Sequence, residues 1–245
     1  MSEQRGTMLG NVKALVFDVF GTVVDWRGSV IAEGQRLGRA KGWSSVNWQR
    51  FADEWRIEGY INPIGEMQRG ERSWMPVDEM HRAMLNTLLE RHDITGLSEN
   101  EIADFNRVWH RLIPWSDSVP GLNRLRTRFI LGPLSNGDFG LLTRMAKNSG
   151  LPWDCILSAE LFGAFKPNPA VYNGAVRLLG LQPDELMLVA AHSGDLKAAR
   201  ACGLRTAFVG RPLEYGPNNN REGTPDPTFD VIADDFMDLA GRLGA

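Results

Sequence analysis

Apolar runs and amphipathic segments alternate along most of this chain of 245 residues. Short runs with the length and flanking residues of buried strands occur at residues 14–17, 129–134, 155–158, 186–190 and 206–209. Helical periodicity precedes or separates the last four runs, near residues 122–128, 141–149, 170–179 and 196–202. Strands that alternate with helices predict a parallel sheet with right-handed crossover connections.

A long block after the first run, from about residue 28 to residue 112, has only helical periodicity. Its predicted helices span residues 30–41, 46–58, 77–90 and 98–111. Ser98 and Glu101 have the spacing of a capping box at the start of the last helix. We therefore predict an α/β fold: a doubly wound, mostly parallel Rossmann-like sheet with an all-helical cap inserted after its first strand. The core domain would comprise residues 1–27 and 113–245, and the cap domain residues 28–112.

Composition narrows the range of partners. A formal charge of −3 and a pI near 5.9 give no electrostatic reason to expect binding to nucleic acid or to an anionic membrane. Cys155 and Cys202 lack the spacing of a disulfide framework or a zinc site. The charge therefore predicts a small-molecule partner, while the two isolated cysteines, the polar start of the chain and the absence of an apolar run of about 18 residues predict a cytoplasmic protein. Residues 213–228, rich in Gly, Pro and Asn, are predicted to form a loop.

Residues that can perform chemistry follow the predicted strands. They are Asp18 after the first run, Ser135 and Asn136 after the second, Lys166 after the third, and His192 and Asp195 after the fourth. Each one alone could be a turn residue, a helix cap or a solvated lysine. Because the carboxyl ends of parallel strands meet at one edge of a sheet, we expect these side chains to converge there.

The strings Phe17-Asp18-Val19-Phe20-Gly21-Thr22, Ser135-Asn136-Gly137 and Lys166-Pro167, with Asp195 after them, resemble the haloacid dehalogenase superfamily over nearly the whole chain. Trp55-Arg56, Trp109-His110-Arg111-Leu112, Pro114-Trp115-Ser116-Asp117 and Ala190-Ala191-His192 are similar to the type II (S)-2-haloacid dehalogenases within it. The resemblance implies hydrolysis of small (S)-2-haloalkanoic acids to (R)-2-hydroxy acids through an aspartyl ester. It also implies that no metal or other cofactor is used, and that the protein is a homodimer.

Two departures from the phosphatases of the same superfamily favour this interpretation. Those enzymes carry a second aspartate two residues after the nucleophile and an acid four residues before the final aspartate, where this chain has Phe20 and Ala191. A phosphate ester needs a proton donor for its leaving group, whereas a halide leaves without one. A Mg²⁺-dependent phosphatase acting on a small phosphomonoester remains the alternative, and a catalytically silent fold that binds a metabolite or a protein is a third.

In the predicted mechanism, Asp18 attacks C2 of the haloacid and forms the ester. Lys166 keeps Asp18 ionised and positions it, and Thr22 fixes its rotamer through a hydrogen bond. Asp195 orients or deprotonates the water that hydrolyses the ester.

Arg56 is predicted to hold the substrate carboxylate or the departing halide, because its planar donors suit either anion. On its own it would more often be a solvated helix residue. Ser135 and Asn136 would donate hydrogen bonds to the substrate carboxylate, or to halide in the case of Asn136.

Four further residues are assigned to the pocket. Tyr172, six residues after Lys166, is predicted to support the site by hydrogen bonding, although it could equally be a packing residue. His192 is predicted to be a neutral imidazole that bonds the network of Asp195 and Lys166. Phe20 and Trp26 are predicted to line the pocket on its apolar side, with Trp26 at the entrance to the cap.

Overall fold

The computed structural model describes residues 10–217, 219 and 221–245, and its strands lie largely where the apolar runs predict them. In chain order the strands are β1 (Ala14–Phe17), β2 (Val24–Asp25), β3 (Ile113–Pro114), β4 (Ile130–Ser135), β5 (Leu157–Ser158), β6 (Leu186–Ala190), β7 (Arg205–Val209) and β8 (Val231–Ala233). Six of them form a parallel sheet in the order β5-β4-β1-β6-β7-β8. The predicted α/β fold is confirmed.

Helices account for most of the remaining regular structure. They are α1 (Trp26–Lys41), α2 (Trp48–Arg56), α3 (Asn62–Gln68), α4 (Val77–Arg91), α5 (Glu99–Asn106), α6 (Ser118–Arg126), α7 (Phe139–Ser149), α8 (Pro169–Leu179), α9 (Ser193–Ala201) and α10 (Phe236–Arg242). A π-helical turn, Ile57–Ile61, joins α2 to α3. Short 3₁₀ segments lie at Arg107–His110, Ala159–Phe162 and Pro183–Glu185.

Strand β1 lies between β4 and β6 near the middle of the sheet. Its four residues are apolar and almost completely buried, as expected for a parallel strand covered on both faces. Phe17 pairs in register with Pro133 on one side and Val189 on the other. The next residue, Asp18, therefore emerges at the carboxyl edge between two neighbouring strands, where open α/β sheets bind their ligands.

The block from α1 to α5 is inserted between β2 and β3. These two strands form an antiparallel pair, with Val24 opposite Pro114 and Asp25 opposite Ile113, so the two connections to the block lie side by side. Each strand has only two residues, which is too short to produce a periodic signal in the sequence. The pair lies close to the predicted boundaries of core and cap, and the division into those two domains stays a prediction.

Aromatic side chains pack the interior of the helical block. Trp55 contacts Phe51, Phe105 and Trp109 in edge-to-face pairs with ring centroids 5.7, 5.3 and 5.5 Å apart. Such pairs each contribute about 0.5–1.5 kcal/mol beyond the burial of their area. They fix the last turn of α2, and with it the position of Arg56.

Several elements differ from their predicted bounds. The predicted helix 46–58 ends as an α-helix at Arg56, and the chain continues through the π-helical turn into α3, which was not predicted. The predicted helix 98–111 is α-helical only to Asn106. Its capping box is confirmed, because Ser98 and Glu101 bond each other's backbone N–H groups. No helix in the described part of the chain is long and apolar enough to cross a membrane.

Candidate active site

Three side chains hydrogen-bond the carboxylate of Asp18, which is 8% exposed. Thr22 Oγ1 donates to Oδ2 over 2.7 Å, and His192 Nδ1 lies 2.9 Å from the same oxygen. Lys166 Nζ donates to Oδ1 over 3.1 Å. The two oxygens of Asp18 therefore differ: Oδ2 contacts two donors and Oδ1 contacts one.

A tight turn after β1 brings Thr22 back to Asp18. Gly21 adopts a φ of 90°, a left-handed conformation that favours glycine. A Cβ atom at this position would lie 2.1 Å from Oε1 of Glu214, so the turn also requires the absence of a side chain. Thr22 Oγ1 in turn accepts a hydrogen bond of 2.9 Å from the N–H of Ala191, which fastens the turn to the end of β6.

Lys166 lies between the two aspartates of the site. Its Nζ contacts Asp18 Oδ1 and also bonds Asp195 Oδ2. Burial alone would lower the pKa of Lys166, but the charges of the two carboxylates outweigh it and raise the pKa. Burial would raise the pKa of Asp18, but the charge of Lys166 and the bonds from His192 and Thr22 lower it. Lys166 and Asp18 are therefore both charged at neutral pH.

The backbone of Lys166 is held by side chains from both parts of the fold. Asn136 Oδ1 accepts from the N–H of Lys166 over 2.7 Å, and its Nδ2 donates to the Lys166 carbonyl over 3.3 Å. Gln68 Nε2, on α3, donates to the same carbonyl over 2.6 Å. Asn136 thus fixes the loop that presents the lysine.

Tyr172 supports Asp195. Its hydroxyl, on α8, donates to Asp195 Oδ1 over 2.6 Å. Burial and the nearby charge of Asp195 both raise the pKa of Tyr172, so the hydroxyl keeps its proton and remains a donor. The predicted hydrogen-bonding support by Tyr172 is thus directed at Asp195.

His192 differs from the prediction of a neutral ring bonded to Asp195 and Lys166. Its Nδ1 faces Asp18, and its Nε2 lies 3.0 and 3.2 Å from the two carboxylate oxygens of Glu214. Burial would lower the pKa of His192, but the hydrogen bonds and charges of Asp18 and Glu214 raise it well above its usual value. The ring is flanked by two carboxylates, and this favours the imidazolium.

Sequence reasoning missed Glu214. It lies in the predicted loop after β7, is 2% exposed, and accepts a hydrogen bond of 3.1 Å from Trp26 Nε1. The apolar run that ends at Val209 was a usable signal, because any loop that follows a neighbouring parallel strand begins at the same edge of the sheet. Its glycine- and proline-rich composition pointed only to a turn.

The guanidinium of Arg56 lies among aromatic rings. Its central carbon is 4.1 Å from the ring centre of Tyr60 and 5.3 Å from those of Phe20 and Trp26. Arg56 is 6% exposed, and its Nε and Nη1 have no hydrogen-bond partner among the described residues. Buried donors of a cation cost free energy unless they are paired, so the arrangement is suited to an anion.

A cavity of about 350 Å³ lies in front of these groups, between the sheet edge and the helical block. Its lining is formed by Asp18, Arg56, Tyr60, Asn136, Lys166, Pro167, His192, Gly194 and Asp195. The structure thus brings together most of the predicted site residues at one place. Within the part of the chain that is described, no three histidine, cysteine, aspartate or glutamate side chains converge so as to hold a metal ion.

Some predicted pocket residues do not face this cavity. Trp26 begins α1 directly after β2, at the entrance to the helical block as predicted, but it is 1% exposed, lies against Arg56 and Glu214, and does not line the cavity itself. Phe20 is also buried, against Arg56. Ser135 is fully buried, and its Oγ accepts from the N–H of Gly137 over 3.2 Å.

Comparison with known proteins identifies the family. The family model of the haloacid dehalogenase-like hydrolases matches residues 12–203. The chain belongs to this family. The expectation of a hydrolase with the haloacid dehalogenase fold is therefore confirmed.

Individual relatives refine the placement within the family. The chain is 27% identical over 214 residues to (S)-2-haloacid dehalogenase 4A of Burkholderia cepacia, covering 85% of this chain and 88% of the relative. It is similar to the crystal structure of the defluorinating L-2-haloacid dehalogenase Rha0230, with 42% identity, a TM-score of 0.90 and coverage of 96% of both chains. The L-2-haloacid dehalogenase PA0810 is likewise 42% identical, with a TM-score of 0.90 and coverage of 95% and 99%. The predicted resemblance to this group of carbon–halide hydrolases is confirmed.

Proposed function

We propose that this haloacid dehalogenase-like hydrolase converts small (S)-2-haloalkanoic acids to (R)-2-hydroxy acids through an ester on Asp18, without a metal ion. The observation that supports this best is the pairing, across one cavity, of an ionised carboxylate with a buried cation that has free donors. Asp18 is the carboxylate, and Arg56 is the cation. A 2-haloalkanoate presents a carbon open to attack next to an anionic group.

In the first step, Oδ1 of Asp18 forms a bond to C2 of the substrate while the carbon–halogen bond breaks and its electron pair leaves with the halide. Attack from the side opposite the halogen inverts C2. Arg56 can donate to the carboxylate or to the halide, and desolvation by the surrounding rings strengthens that interaction. Lys166 keeps the attacking carboxylate ionised at the pH of the cell.

In the second step, water attacks the ester carbon Cγ of Asp18. Asp195 is the carboxylate that can take the proton of this water, because it lines the same cavity. The hydroxyl of Tyr172 donates to Oδ1 of Asp195 and so fixes the orientation of this carboxylate. Lys166 Nζ contacts both aspartates and can pass a proton to the departing alkoxide. The original Oδ1 then leaves in the 2-hydroxy acid.

Phe20 favours halide chemistry over phosphate chemistry at this site. A phosphatase of this fold requires an acid two residues after its nucleophile, to protonate the leaving alcohol. Here that position holds a buried aromatic ring which packs against the Arg56 guanidinium. A halide leaving group needs no such acid.

The test is to incubate the protein with (S)-2-chloropropionate and, separately, with its (R) enantiomer, each with and without EDTA. We expect chloride and (R)-lactate from the (S) substrate alone, at a rate that EDTA does not change. An Asp18→Asn variant serves as the inactive control. Failure to release halide from any small haloacid, or loss of activity with EDTA that Mg²⁺ restores, would contradict the proposal.

A further inference from the structure

The unequal hydrogen bonding of the two Asp18 oxygens gives them different roles in the ester intermediate. Oδ1 accepts from one donor, Lys166, whereas Oδ2 contacts two, so Oδ1 has more lone-pair density available for attack and is the better nucleophile. Oδ2 then becomes the carbonyl oxygen of the ester. Its two donors, Thr22 and His192, remain directed at the atom on which negative charge develops when water attacks.

We propose that His192 and Thr22 form the oxyanion hole of ester hydrolysis at Asp18 Oδ2, and that Glu214 is a positioning residue that keeps His192 in its cationic, donating form. His192 is a catalytic residue in this scheme, because it contacts a reacting atom. Glu214 acts only through His192. This inference rests on the proposed function, and it says which residues stabilise the oxyanion during hydrolysis of the ester.

Glu214 is tightly packed on the side of the His192 ring that faces away from Asp18. Its carboxylate accepts from Nε2 of His192 and from the indole N–H of Trp26, and it packs against the turn at Gly21 so closely that no Cβ could be accommodated there. With Nε2 directed at one carboxylate and Nδ1 at another, both ring nitrogens face acceptors. Such a ring donates from both sides, and Glu214 prevents it from rotating away.

The charges around His192 come from five elements of the fold. They are Asp18 at the end of β1, Arg56 on α2, Lys166 before α8, Asp195 on α9 and Glu214 after β7. Once Asp18 is esterified it no longer carries a charge, so Glu214 is the remaining carboxylate in direct contact with His192. Glu214 therefore preserves the charged donor in the intermediate, when it is needed.

The electrons and protons of the step balance as follows. The water oxygen bonds to Cγ, one water proton passes to Asp195, and the Cγ–Oδ2 π pair moves onto Oδ2, where His192 and Thr22 stabilise it. The pair then returns, the Cγ–Oδ1 bond breaks, and the leaving oxygen takes a proton from Lys166, which recovers one from Asp195. Asp18, now a carboxylic acid, loses its proton to solvent. His192 keeps its proton throughout.

The first experiment measures the charge state of His192 without any substrate. The chain has four histidines, so side-chain NMR titration is tractable, with His192→Ala to assign the resonance. We expect a His192 pKa well above about 6.5 in the wild type, a lower one in Glu214→Gln, and no change in Glu222→Gln. Glu222 is a matched control, since it lies in the same loop and bonds the N–H of Ser193 instead of His192. Titration near 6.5 in the wild type, or an unchanged pKa in Glu214→Gln, would overturn the inference even if His192→Ala did not fold.

The second experiment separates the two chemical steps with (S)-2-chloropropionate. In His192→Ala we expect ester hydrolysis to slow by about 100-fold, the usual effect of losing one oxyanion donor, while the first turnover of halide stays within about tenfold. The ester should then accumulate on Asp18 and be visible by mass spectrometry. In Glu214→Gln the fall of the hydrolysis rate at high pH should begin at a lower pH than in the wild type or Glu222→Gln.

The results of these experiments distinguish a failure of the oxyanion role from a failure of the proposed dehalogenase activity. Equal slowing of both steps in His192→Ala, or a pH profile in Glu214→Gln that matches the wild type, would overturn the oxyanion role while leaving the dehalogenase proposal intact. Absence of halide release and of ester in the wild type would overturn the proposed function, and this inference with it.

Discussion

The guanidinium of Arg56 stacks on the ring of Tyr60, with its central carbon 4.1 Å from the ring centre. Arg56 ends α2 and Tyr60 lies four residues later, in the π-helical turn that follows, so the two side chains lie on the same face of the continuing helix. Stacking holds the planar cation without using its hydrogen-bond donors. Those donors remain free for an anion in the cavity.

The stacking predicts that Arg56 cannot be replaced by lysine. A lysine side chain at this position would keep the charge but lose the planar fork and its fit to the rings. We expect Arg56→Lys to lower kcat/KM for (S)-2-chloropropionate by about 100-fold, as for the loss of about 3 kcal/mol of charge-assisted hydrogen bonding. The matched control is Arg50→Lys on the same helix, where an exposed arginine pairs with Glu54 and the rate should not change. Similar kinetics for Arg56→Lys and the wild type would show that the free donors are not used.

Lys166 is predicted to be required for stability as well as for activity. Lys166→Met would leave the buried Asp18 and the half-buried Asp195 side by side without their shared cation. Breaking a buried ion pair costs about 3–5 kcal/mol, and we expect a loss of this order in the free energy of unfolding at neutral pH, together with loss of activity. Because the pKa of Asp18 would rise, part of that loss should be recovered at acid pH, where one aspartate can bind a proton. Chemical denaturation at several pH values measures this, with the exposed Lys147→Met as control. A loss that did not depend on pH would contradict the electrostatic explanation.

The burial of His81 predicts that the free energy of unfolding depends on pH in a way that is unrelated to catalysis. It is fully buried between the rings of Trp109 and Tyr60, with centroids 4.1 and 5.8 Å away, and neither ring nitrogen has a partner among the described residues. Burial and the charge of Arg56 lower its pKa well below 6.5, so the folded protein keeps it neutral. The unfolded chain binds a proton there, and the contribution of His81 to stability is therefore lost as the pH falls below about 6.5, by up to about 1.4 kcal/mol per pH unit.

The measurement is the difference in unfolding free energy between His81→Phe and the wild type. We expect the difference to shift in favour of His81→Phe as the pH is lowered through about 6.5. His192 has the opposite sign, since its raised pKa gives stability that is present below 6.5 and lost as the pH rises through the raised value. It is common to both proteins and cancels in the difference. Parallel stability curves would contradict the assignment of a neutral His81.

Much of this fold could be predicted because it rests on local patterns. The run at residues 14–17 is apolar throughout, and it indicates a strand covered on both faces, which places Asp18 at the sheet edge. Asp195 could be placed by the same reasoning, since it lies on the helix after β6. Parallel topology then brings the two together. The homodimer and the cytoplasmic location stay predictions.

The parts that could not be predicted depend on contacts between distant segments. Glu214 lies in a loop without periodicity, and only packing against Trp26 and His192 shows that it is buried. The contact with Glu214 also explains why the His192 ring faces Asp18 and Glu214, and not the predicted Asp195 and Lys166. Strands β2 and β3 have two residues each and are stabilised by their pairing across the inserted block.

The most direct test of the proposed mechanism is a single turnover in H₂¹⁸O with enzyme in excess over (S)-2-chloropropionate. If Asp18 attacks C2 and water then attacks the ester carbon, the hydroxyl oxygen of the product comes from Asp18. We therefore expect unlabelled lactate on the first turnover, with one ¹⁸O atom found in the peptide that contains Asp18. Labelled lactate on the first turnover, with no label in that peptide, would show that water attacks the substrate directly and would contradict the covalent mechanism.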